Sequence, residues 1–164
     1  METDYAEKAW EKISKWAAGI TEEKFRKWVS RKAQNLWKRD KKKLQSKERL
    51  EKQVDDNEKR AEYRTAIYKA IADMSENKCP YCGKPLRWDL IGTWDNDDAQ
   101  EKGKEYKKGF AYLPTVDHKD AEPQADFVIC SWIANDAKND LPIGKFIDLC
   151  KNILTNHGYT VIKK

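Results

Sequence analysis

An Asp-His pair closes one apolar run, Leu113-Pro-Thr-Val-Asp117-His118, and an Asn-x-x-Lys opens a helical pattern after the next, Phe127-Val-Ile-Cys-Ser-Trp-Ile-Ala-Asn135-Asp-Ala-Lys138. The chemistry such residues could perform together is hydrolysis of a phosphodiester. A hard divalent cation takes oxygen ligands. The Asp117 carboxylate and the Asn135 side-chain carbonyl supply two of them and leave positions for water and phosphate. His118 is the general base of the set, since imidazole is the side chain suited to taking a proton from water near neutral pH. Consecutive strand residues point to opposite faces, so Asp117 and His118 must have separate partners and separate jobs.

The elements that must position these groups follow from the same stretch. Two apolar runs flank a loop with Pro123 and several acidic residues, and a short helical pattern follows the second run. That reads as an antiparallel hairpin leading into a helix, an α+β arrangement with the polar clusters where the elements meet.

Asp117-His118, then Asp126, then Asn135-Asp-Ala-Lys138 resembles the ββα-metal fold of the HNH endonucleases. The resemblance implies that Asp117 and Asn135 bind a catalytic magnesium or manganese ion and that His118 is the base. It also implies that Asp126 is the middle residue steadying His118, with Asp120 and Glu122 of the same loop as alternatives, and that Lys138 contacts phosphate. The longer stretch through Cys130-Ser-Trp and Lys138-Asn-Asp-Leu is also similar to a group of uncharacterised bacterial HNH proteins.

Cys79-Pro-Tyr-Cys82-Gly83 is a knuckle, two thiols separated by two residues with a glycine for the turn. Many HNH proteins carry such a pair and a second one just before the helix Asn, together holding a structural zinc. Here the corresponding positions, four and one before Asn135, are Ser131 and Ala134. Two readings stand: a four-thiolate zinc site from Cys79, Cys82, Cys130 and Cys150, or buried cysteines packing as small apolar residues.

The chain of 164 residues is 37% charged, carries seven Trp and has a formal net charge of +5. It suffices for one domain with a core, or a small domain and a helical arm. Four cysteines without a signal-like apolar stretch at the N-terminus lead us to expect a reducing, cytoplasmic setting, and no apolar run approaches the roughly 20 residues of a membrane span.

Residues 1–75 read as a mainly helical, basic arm and 76–164 as the HNH-like module. Apolar residues spaced by three and four predict a helix from Asp4 to about Ile20, ended near Gly19, and a second capped by Thr21 with Phe25, Trp28, Val29, Ala33, Leu36, Trp37 and Leu44 inward. A third pattern runs from about Lys47 to Ser75, with Asp55-Asp-Asn57 as the place where it is open to interruption. From Lys24 to Lys47 lie eleven Lys and Arg against Asp40 alone, a surface fit to neutralise phosphates. Asp95 to Lys108 reads as a polar helix. In the last helix Phe146, Ile147, Cys150 and Ile153 are expected inward, with Tyr159 to Ile162 as an edge strand.

These features together lead us to expect a metal-dependent DNA endonuclease, with a homodimer through the arm as one way to cut both strands. The alternatives are a non-catalytic nucleic-acid-binding module acting with a partner protein, and an RNA-cleaving effector.

Overall fold

A computed structural model describes residues 2–46, 54–120 and 122–163. The N-terminal half follows its apolar spacing. Helix α1 (Glu2–Trp16) buries Ala6, Ala9 and Ile13, and Gly19, at φ 87°, reverses the chain after it. Thr21 Oγ1 then accepts the Lys24 N–H at 3.3 Å at the start of α2 (Glu22–Ser46), which buries Phe25, Trp28, Val29, Ala33, Leu36, Trp37 and also Asp40. Helix α3 (Asp56–Ala72) is capped by Asp55, whose carboxylate accepts the Asn57 N–H. The acidic stretch therefore interrupts the third helical pattern, because Asp55 stands outside the helix as its N-cap and α3 starts after it. The part of that pattern at residues 47–53 lies outside the described residues.

The second half is built on a hairpin. Strands β1 (Pro114–His118) and β2 (Phe127–Ser131) pair antiparallel, with His118 opposite Phe127 and Pro114 opposite Ser131. A two-stranded ribbon is marginal by itself in water. Here every residue of β1 is buried, and α3 lies against β2. Helix α5 (Trp132–Lys138) leaves β2 with no linker. Its first N–H groups, which no helical carbonyl can satisfy, donate to Leu113 O at 2.8 Å and Ala111 O at 2.9 Å. The helix start is thereby tied to the approach of β1.

Aromatic packing joins the halves. Trp88, in a 3-10 turn (Trp88–Leu90), is fully buried and meets Trp28 and Phe25 of α2 edge-on at ring separations of 5.5 and 6.4 Å. Tyr63 of α3 meets Phe127 of β2 at 5.3 Å. One hydrophobic core thus crosses the expected boundary between residues 75 and 76, and the arm wraps the hairpin. Its main apolar stripe is buried within the chain, which removes that stripe as a surface for the expected homodimer.

Two helices stand outside this core. Helix α4 (Asn96–Gly109) is the expected polar helix, capped by Asp95 and broken at Gly103, where φ is 57°. It packs Tyr106 against Trp94 and Phe110. Helix α6 (Ile143–Asn156) fully buries none of its residues: of those expected inward, Ile147 and Ile153 are exposed and Phe146 and Cys150 are half-buried. The segment from Tyr159 to Ile162 forms no strand. Among the described residues no helix is long and apolar enough to cross a membrane.

A shared core predicts one cooperative unfolding transition for both halves. Trp88→Ala should destabilise the whole by about 3–5 kcal/mol, the usual cost of truncating a buried Trp, in urea denaturation followed by circular dichroism. A variant in which residues 1–75 unfold in a separate transition would contradict the shared core.

Candidate active site

The end of β1 places its two polar residues in different surroundings. His118 is 8% exposed, and its ring lies edge-on to Phe127 at 5.1 Å, its cross-strand neighbour. Nε2 lies 2.8 Å from Asp40 Oδ2, and Arg39 Nη2 lies 3.2 Å from Nδ1. A guanidinium only donates, so Nδ1 accepts and the ring is the neutral tautomer whose Nε2–H donates to Asp40. Asp40 is 1% exposed and also accepts the Tyr63 hydroxyl at 2.8 Å. Burial, and the carboxylate beside it, push the Tyr63 phenol far above its ordinary range. Tyr63 thus remains a hydrogen-bond donor to Asp40.

Asp117 has its own partners. Its Oδ2 accepts the Tyr81 hydroxyl at 2.7 Å and lies 3.1 Å from the Lys138 ammonium. Burial and the bond to Asp117 raise the Tyr81 phenol in the same way. Lys138, on the last turn of α5 and 5% exposed, also donates to Asn139 O at 3.2 Å and Leu141 O at 3.0 Å. An ammonium has three protons, and these three acceptors account for them. Lys138, expected to contact phosphate, is here engaged with Asp117 and with the carbonyls that follow α5.

The other expected residues divide. Asn135, half-buried on α5, shares a polar cavity of 120 Å³ with Asp117, His118, Lys138 and Arg39. Asp126 does not reach His118. It pairs with Lys119 at 2.7 Å at the loop end of the hairpin, half exposed, and the carboxylate on His118 is Asp40 instead. Of the two alternatives in the loop, Asp120 lines the same cavity.

A hard cation is compatible with this donor set. Both bonds of Asp117 fall on Oδ2, and the Asn135 amide, Asp120 and Asp136 border the same cavity. Such a set is oxygen-only and poor in protein ligands, as suits magnesium, which keeps several of its waters. Among the described residues no three His, Cys, Asp or Glu side chains cluster in a way that could hold a metal ion.

The four cysteines named for a thiolate site are likewise not gathered into such a group among the described residues. Cys79 and Cys82 do form a knuckle, closed by Gly83 N–H to Cys79 O at 2.8 Å with Gly83 at φ 68°. Ser131 occupies its open side: its N–H and Oγ lie 3.3 and 3.4 Å from Cys79 Sγ, and Oγ lies 3.6 Å from Cys82 Sγ. Cys130, adjacent on the strand, points to the opposite face and is fully buried. Burial, with Asp117 nearby, pushes its thiol up. Cys150 sits on the unpacked α6. For Cys79, burial works against ionisation, yet donation from Ser131 and from the Cys82 and Tyr81 backbone holds the thiol below its ordinary range. The Ser131 hydroxyl, at the N-cap position of α5, makes no capping bond.

Sequence reasoning missed Asp40, Arg39, Tyr63 and Tyr81. A signal for Asp40 was present: it falls three and four residues after Trp37 and Leu36, inside the apolar stripe of α2. No family model, curated protein or solved structure matches the chain.

Asp40→Ala leaves the Tyr63 hydroxyl and the His118 N–H buried without an acceptor, at about 1–3 kcal/mol each. Asp126→Ala removes only an exposed pair and should shift stability by no more than about 1 kcal/mol. Urea midpoints of the two variants check the assignment, and equal shifts would contradict it.

Proposed function

We propose that the chain is a metal-dependent endonuclease of HNH type that hydrolyses DNA phosphodiester bonds. The observation that carries this is the convergence on one cavity of a carboxylate-braced histidine, His118 with Asp40, and two oxygen donors, Asp117 and Asn135. The spacing of Asp117-His118 and Asn135-x-x-Lys138, on a hairpin followed by a helix, resembles that family and supports the same reading.

The residues divide the work. Asp40 fixes the His118 tautomer and stabilises the imidazolium that forms as Nδ1 takes a proton from water. Arg39, whose side chain is half exposed, holds Nδ1 in the free protein. When a phosphate enters, its guanidinium turns to the non-bridging oxygens, for which its fork is suited, and Nδ1 is released to the water. A bound magnesium or manganese ion on Asp117 and Asn135 would supply neutralisation of charge on the phosphate and the leaving oxygen. Lys138 and Tyr81 hold the Asp117 carboxylate in place.

DNA as substrate is supported by the surface beside the cavity. Arg39 and Lys43, one turn apart on α2, line the cavity itself. Arg31, Lys38 and Lys42 are exposed on the same helix. A row of cations leading to the reacting phosphate gives sequence-independent affinity through counterion release.

Cleavage of supercoiled plasmid, linear duplex, single-stranded DNA and RNA in magnesium, manganese and EDTA tests the proposal. Metal-dependent cutting of DNA is expected, reduced roughly 10²–10⁴-fold by His118→Ala with binding retained. Binding without cutting in every metal would favour a binding module, and cutting of RNA alone would reassign the substrate. Lys42→Ala should weaken DNA binding uniformly across sequences and lower the slope of log affinity against log salt by about 1, read by fluorescence anisotropy.

A further inference from the structure

Helix α6 buries none of its side chains, although apolar residues fill one side of it. A 14-residue helix without tertiary support is marginal in water, so its stability depends on covering that side. At 100° per residue Lys145 and Asp148 fall on the side opposite the stripe, and Lys151 lies at its edge. Whatever covers the stripe must therefore be apolar and need not bring an opposing charge.

The spacing of the stripe is symmetric. Phe146 and Ile147 lie four and three residues before Cys150, and Ile153 and Leu154 lie three and four residues after it. Cys150 is also near the angular centre of the stripe. An identical helix laid antiparallel about an axis through Cys150 therefore sets Phe146 against Leu154 and Ile147 against Ile153, twice over. That is the condition for an isologous two-fold contact, and a partner of unrelated sequence would not require it.

The exposed area is of the right size. Ile147 is 57%, Ile153 51% and Leu149 45% exposed, and Tyr159 and Ile162 just beyond the helix are 64% and 79% exposed. Ile143, Leu154 and Val161 are 38%, 41% and 41% exposed, so the apolar residues along α6 and the segment after it leave exposed a total on the order of the 800 Å² that each side of a standard interface buries. A membrane surface is the less suitable cover. Interfacial helices carry a polar face rich in Lys and Arg, whereas α6 offers Lys145, Lys151 and Asp148 among neutral residues.

The geometry points to α6 as the dimerisation helix of this protein, pairing antiparallel with α6 of a second copy about a two-fold axis at Cys150. This contact is separate from the buried stripe of α2 and does not depend on the hydrolytic reading. Because α6 follows α5 after four residues, the axis would lie close in sequence to Asn135 of both copies.

Sedimentation equilibrium tests it directly. The wild type is expected to show twice the chain mass, and Ile147→Asp and Leu154→Asp should each return the mass to that of one chain. The unfolding transition of the core should stay unchanged in both, because α6 lies outside it. A short bis-maleimide should join two wild-type chains and two Cys82→Ser chains, but not Cys150→Ser. A single-chain mass at all concentrations, a dimer that persists in both Asp variants, or cross-linking that needs Cys82 instead of Cys150 would overturn the inference. So would a wild type that stays monomeric and binds anionic vesicles, which would assign the stripe to a membrane surface.

Discussion

A carboxylate with 1% exposure sits inside the apolar stripe of α2, and most of the architecture answers to it. An ionised group removed from water costs several kcal/mol unless its lone pairs are met by donors in good geometry. Asp40 meets two, the His118 Nε2–H from the hairpin and the Tyr63 hydroxyl from α3, both on Oδ2 at 2.8 Å, while the Arg39 guanidinium approaches Oδ1 at 3.8 Å. Three separate elements thus converge on one side chain. Removing the hairpin would strand the carboxylate, and removing α2 would leave the histidine without the acceptor that fixes its tautomer.

This dependence explains why the helical half is not an appendage. A lone hairpin could not bury five consecutive residues of β1, and α2 and α3 could not bury Asp40 by themselves. The aromatic series from Trp37 through Tyr63 and Phe127 to His118 runs beside the polar one, so the ring is held by packing as well as by hydrogen bonds. Preorganisation of this kind is what a general base needs in the proposed reaction, because reorientation during proton transfer would raise the barrier. The role that the resemblance assigned to Asp126 falls instead to a residue from outside the hairpin and helix.

Legibility in the sequence followed the range of the interaction. The hairpin, α5, the ends of α1 and α2 and the knuckle turn depend on local chemistry: apolar spacing, Thr21, Gly19 and Gly83. All were readable from neighbours in the chain. The partners of the site residues depend on contacts 36 and 78 residues apart, as for Tyr81 with Asp117 and Asp40 with His118, beyond the reach of local pattern. Asp40 is the single acid between Lys24 and Lys47, and its position in the apolar stripe of α2 makes it a buried one. For α6, amphipathic spacing established that one side wants cover, but periodicity carries no information on whether that cover comes from the same chain.

Two of the cations that line the cavity, Lys138 and Arg39, illustrate how burial separates structural from reactive charge. Lys138 is enclosed, with its three protons directed at Asp117 and two carbonyls. Moving it would expose a buried carboxylate and two helix-end acceptors, so it is fixed. Arg39 is half exposed and makes one long bond to Nδ1 and a 3.8 Å approach to Asp40, neither costly to give up when water and phosphate can replace them. The flexible cation therefore covers the lone pair that must become free, and the rigid one holds the carboxylate that must stay in place. In the proposed reaction this order is required, because a base needs a vacant nitrogen while a metal ligand needs a constant position.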